Sequence, residues 1–131
     1  MNFQTGVRAR LLANATVAAG VSTRIFWGER PQGTTLPAIV LQTISDPRPA
    51  HLTDYDGARS TLVQMDVYAT TYAAALTIAQ AAIEVLKVPA TISGKTFGPA
   101  FVDSQRDTVE TSGTVNLHRQ SVDFNIWHKG N

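Results

Sequence analysis

A chain of 131 residues has room for one domain, taken as residues 1–131, and can bury roughly two-thirds of the surface its unfolded form exposes. The absence of cysteine excludes disulfides, zinc-thiolate and iron–sulfur sites and a cysteine nucleophile, so the fold rests on its packed core. The formal charge of +1 comes from 11 Lys and Arg against 10 Asp and Glu, without the basic stripe that a phosphate-neutralising DNA binder needs.

Charged residues make up only 16% of the chain, against a usual value of about 25%. Interface cores are depleted in charge, so such a surface suits assembly as well as it suits an ordinary neutral exterior. No run of about twenty apolar residues is present to span a membrane. Arg8 and Arg10 before Leu11–Ala19 faintly mimic a signal peptide, but Asn14 and Thr16 interrupt the apolar stretch and a helix explains the same residues.

In chain order, Phe3, Val7, Leu11 and Ala15 recur every four residues and predict a first helix over 3–19, with Gly20 as its stop. Val21 to Trp27 reads as a short strand, 28–35 as a loop around Pro31 and Gly33, and Pro37 to Ile44 as a second strand. A connector over 46–58 follows, with Pro47, Pro49 and Gly57 beside Arg48, His51, Asp54 and Tyr55. Loops that long inside compact domains are uncommon and usually functional or disordered. From Arg59 to Ala69 strict alternation predicts a strand, with Thr61, Val63, Met65 and Val67 on one face. Thr70 or Thr71 can cap the next helix. Its apolar stripe is Tyr72, Leu76, Ala79, Ile83 and Leu86, and Pro89 ends it.

Residues 91–104 form a looser β region, 109–115 a polar turn or flexible loop, and Leu117 to Trp127 a last strand. On that strand His118, Gln120, Val122, Phe124, Ile126 and His128 share one face. The order helix, strands, helix, strands predicts an α+β fold: a mostly antiparallel sheet with two helices packed on one face.

The search for chemistry points away from an enzyme. His51, His118 and His128 lie far from metal-ligand spacing, and no phosphate loop, nucleophile elbow or dinucleotide fingerprint occurs. Asp54 and Asp56 near His51 are too few oxygen ligands for calcium. Asp66 and Asp123 on polar strand faces are expected to pair with Arg59 or Arg119 across the sheet. The aromatic residues lack the interleaved basic residues of a single-strand stacking platform. No catalytic, cofactor-binding or metal site is expected.

The strings RIFWG at Arg24–Gly28, PQG at Pro31–Gly33 and LPAIVLQTIS at Leu36–Ser45 resemble the tail-completion, or tail-terminator, proteins of long-tailed bacteriophages and related gene-transfer particles. So do VQMDVYA at Val63–Ala69 before a helix opening TYAAA, and the terminal RQSVDFNIWH at Arg119–His128. Each string is weak alone, and their joint order over nearly the whole chain carries the resemblance. It implies a structural virion protein forming a ring, commonly of six copies. That ring caps the tail tube and docks to the head–neck connector, with DNA as passing cargo and no cofactor. Assembly would take place in the host cytoplasm and the final station would be the tail–neck region. A neighbouring neck or stopper component contacting the DNA channel is the alternative, and a small ligand-binding α+β domain a more distant one.

A ring joins two non-identical patches. Loop 46–58, through Arg48, His51, Asp54, Tyr55 and Arg59, and loop 107–116 are the expected contact arms, the alternative being a solvated loop.

Overall fold

The computed structural model describes residues 2–47, 59–112 and 115–129. Three helices and six strands follow in the order α1 (Phe3–Leu12), α2 (Ala15–Val21), β1 (Ile25–Trp27), β2 (Ala38–Ser45), β3 (Arg59–Ala69), α3 (Tyr72–Leu86), β4 (Ala90–Ile92), β5 (Lys95–Ser112) and β6 (Val115–Lys129). One sheet holds all six strands in the order β1-β2-β3-β6-β5-β4. The pair β1–β2 is parallel and the other pairings are antiparallel. The sheet is thus mixed, and the expected two helices are three.

The single helix expected over 3–19 is two because Asn14 starts a new one. Its Oδ1 accepts from the amides of Thr16 and Val17 at 2.9 and 3.1 Å, so the chain leaves α1 and is capped afresh as α2. Asn2 does the same for α1 through a reciprocal capping box with Thr5. Arg8 and Arg10 tie α1 to the segments around it. Arg8 donates to the carbonyls of Thr23 and Ile25, and Arg10 to those of Val85 in the last turn of α3 and Val88 just beyond it. Trp27 Nε1 donates to Gln4 O at 3.0 Å and ties β1 to α1.

The alternation read from β3 and β6 survives in space. Thr61, Val63, Met65 and Val67 are buried, and opposite them in the ladder stand Ile126, Phe124, Val122 and Gln120 on the same face. The helices cover that face. On α3 the buried residues are Ala75, Ile78, Ala79, Ala82 and Leu86, while Tyr72 is exposed and Leu76 and Ile83 are half-buried. The expected stripe is therefore rotated, because three alanines let the helix backbone approach the sheet more closely than bulky side chains would. Proximity, more than side-chain hydrophobicity, chooses the face here.

The larger departure lies at 109–115. β5 and β6 stay paired out to Ser112↔Val115, so the expected polar loop is the upper part of a long hairpin. Threonine and valine favour extended backbone whether or not a face is buried. Here Val109, Glu110 and Thr111 are all exposed, so no alternation of buried and exposed positions marked a strand.

Replacing Asn14 with alanine should cost about 1 kcal/mol in urea unfolding, with a smaller loss for Asn14→Asp. Equal stability of the two variants would remove the cap as the cause of the break between α1 and α2.

Candidate assembly surfaces

Of the five expected contact residues, Arg48, His51, Asp54 and Tyr55 lie outside the described residues. Arg59 opens β3, is only 5% exposed, and its Nε donates to Asp46 Oδ1 at 2.9 Å. Asp46 and Arg59 thus close the base of the connector that runs between them.

From this base a polar chain runs into the core. Thr61 Oγ1 donates to Asp46 Oδ1 at 2.8 Å and lies 2.7 Å from His128 Nε2, while His128 Nδ1 lies 2.9 Å from Lys95 Nζ. The hydroxyl proton is committed to Asp46, so the hydroxyl accepts from Nε2–H. Nδ1 then receives the lysine proton, which assigns the neutral Nε2–H tautomer. The ring rests on Phe3 with centroids 4.1 Å apart. Lys95 is 1% exposed; burial and then the nearby Arg59 charge push its ammonium below the ordinary lysine range, and Asp46 acts in the opposite direction. Sequence reading missed Lys95. The signal for His128 was its place in the apolar alternation of β6.

The outer sheet face carries a second polar set. Asp123 accepts from Ser104 Oγ at 3.0 Å and from Arg106 Nη1 at 3.1 Å. Asp66 accepts from Ser121 and Gln64. The cross-sheet arginines expected for these aspartates, Arg59 and Arg119, make no direct ion pair with them, although the Asp66 charge does help to raise the basicity of Arg119. Register is the reason: Arg59 sits at the opposite end of β3 beside Asp46, whereas Arg106 on β5 lies within reach of Asp123. Arg119 instead places its guanidinium 6.0 Å from the centroid of the Tyr68 ring, and interaction with Tyr68 raises its basicity above the ordinary arginine value.

Higher up, Asp107 accepts from Gln120 and from Tyr72 Oη, and Thr111 donates to Asn116. The upper hairpin is thus held by its ladder and by side-chain hydrogen bonds. Val109 and Val115 remain exposed along it, and Phe101, Val102 and Trp127 are exposed lower on the same two strands.

A groove of about 350 Å³ between α1, α3 and β4 is apolar apart from Arg10, whose Nη2 is committed to two carbonyls. Burial depresses that guanidinium's basicity. Among the described residues no cluster of three metal-ligating side chains occurs, and no helix is long and apolar enough to cross a membrane.

The sequence from residue 5 to 129 matches the family model described as tail completion protein gp17. The chain belongs to that family. No curated protein matches the sequence. Among solved structures, a chain of the virion of a native gene transfer agent particle is 19% identical, with 98% of this chain and 95% of that one aligned and a TM-score of 0.65. That likeness is one of fold. A second solved chain is 11% identical over 94% of each chain with a TM-score of 0.46. In this tail-completion protein the strings LPAIVLQTIS and RQSVDFNIWH are β2 with its approach and the greater part of β6.

Thr61→Val should remove the hydroxyl between Asp46 and His128 and cost about 1–3 kcal/mol, the penalty for leaving buried polar groups unmatched. Thr61→Ser should retain most of the stability. Urea unfolding of both checks it, and equal loss in the two would mean that the methyl group and not the hydroxyl matters.

Proposed function

We propose that the protein is a structural subunit of a tailed particle, six copies of which close into a ring. The ring terminates the tail tube and joins it to the head–neck connector, and DNA passes through as cargo. The match to the tail-completion family over residues 5–129 carries this reading, and the fold likeness to a gene transfer agent virion chain supports it. A ring subunit needs two different complementary surfaces. The exposed β5–β6 hairpin and the connector rooted at Asp46 and Arg59 are suited to supply them. In this reading Arg48, His51, Asp54 and Tyr55 reach the neighbouring subunit, and Arg59 holds the root of the arm that presents them. The subunit is without catalytic activity, assembles in the host cytoplasm and ends in the tail–neck region of the virion.

Native mass spectrometry and negative-stain microscopy should find concentration-dependent rings, made more abundant by tail-tube protein, and little affinity for DNA. A persistent monomer in the presence of tube protein would overturn the proposal. Strong, salt-sensitive DNA binding would favour a neck component that lines the channel. Arg48→Ala combined with Tyr55→Ala should lower ring yield at least tenfold at a concentration where the parent chain is assembled. An unchanged yield would remove the connector as a contact arm.

A further inference from the structure

The two edges of the sheet are covered unevenly. On one side β4 pairs only with Lys95, Thr96 and Phe97 of β5. Among the described residues nothing pairs with the outer edge of β5 beyond them. On the other side β1 pairs with Ile39, Val40 and Leu41 of β2, and among the described residues nothing pairs with the outer edge of Gln42–Ser45.

These open segments occupy the same rows of the ladder. Thr43 stands opposite Val63, Val63 opposite Phe124, and Phe124 opposite Val102. Ser45 is likewise connected through Leu62 and Asn125 to Phe101. Three successive antiparallel pairings separate β2 from β5, so the two strands run in opposite directions. Both segments are exposed and both carry apolar side chains: Ile44 is 48% exposed, Phe101 57% and Val102 41%.

An open edge of this length is a template for pairing with another chain. Edges are commonly guarded by proline or lysine. Pro99 stands where the cover of β4 ends, and from Ala100 to Ser112 neither residue type occurs; the guards that remain are Asp103 and a register shift on each edge, between Val102 and Ser104 on β5 and between Thr43 and Ser45 on β2. Gln42–Ser45 carries no charge that would repel a strand. A closed ring permits no net climb around its axis, so only edge segments at matching heights can meet on every copy.

We infer that the occupant of the β5 edge is a second copy of this chain. The open Gln42–Ser45 edge of one subunit pairs antiparallel with the Phe101–Ser104 region of the next and continues the sheet from subunit to subunit. The inference rests on the ring reading above and names the contact that closes the ring. The contact is heterologous; a β5–β5 pairing would be two-fold and stop at dimers.

The natural absence of cysteine makes the test direct. Thr43→Cys is combined in turn with single cysteines at Phe101, Val102, Ser104 and Val109, and each protein is assembled and mildly oxidised. Reversible ladders extending to the full ring are expected for the pairs with positions 101–104. Yield should fall at least fivefold at Val109, seven residues and roughly 23 Å farther along the strand. Single-cysteine variants should give none. Ile44→Cys serves as a second anchor if Thr43→Cys impairs assembly. Rings without cross-links at 101–104 from either anchor would overturn this contact and leave the ring reading standing. Dimers cross-linked by Phe101→Cys alone would overturn it in favour of a β5–β5 pair. No rings from the parent chain, even with tube protein, would remove both.

Discussion

The structure depends on a mismatch of length between its two layers. The 15 residues of α3 rise about 22 Å, whereas the 18 residues of β5 extend about 60 Å. The helices can therefore bury only part of the β5–β6 hairpin, and the rest must stand in water on both faces. Its upper half is kept extended by β propensity and by side-chain hydrogen bonds between the strands. Apolar residues on that overhang lie outside the core, and that is the physical origin of the exposed surface assigned to assembly.

At the other end of the sheet the same strands make a dense polar joint. Thr61 on β3, His128 on β6 and Lys95 on β5 meet within hydrogen-bond distance, with Asp46 and Arg59 at the root of the connector. A buried ammonium and imidazole are tolerated only where each proton has an acceptor. The directed chain from Lys95 through His128 and Thr61 to Asp46 supplies an acceptor for one ammonium proton, for the imidazole N–H and for the threonine hydroxyl. It couples the two ends of the 46–59 connector, Asp46 and Arg59, to the interior. Phe3 lies against the imidazole and brings α1 into the same joint.

Low sequence identity with retained fold is natural for such a subunit. The core asks for alternation on two central strands, small residues where α3 approaches the sheet, and caps at the helix starts. None of these requires one particular residue in the way a catalytic constellation does. The strand-edge contact proposed between subunits would rely largely on backbone groups, so it too would tolerate change in side chains.

Much of the fold was legible in the sequence where one physical signal dominated. The limits of β3 follow from strict alternation bounded by glycine and threonine, the buried face of β6 from its even-numbered side chains, and the end of α3 from Pro89. The split of the first helix was visible only as Asn14, whose capping role depends on the path the chain takes after Ala13. Tertiary structure alone decided the rest. The buried face of α3 was set by how closely alanine lets backbones approach, and the partners of Asp66 and Asp123 by strand register. The strand at 109–112 was set by pairing with a distant segment. Residues of uniform polarity carry no record of which neighbour they will meet, because pairing energy resides in contacts between chain segments and not in either segment alone.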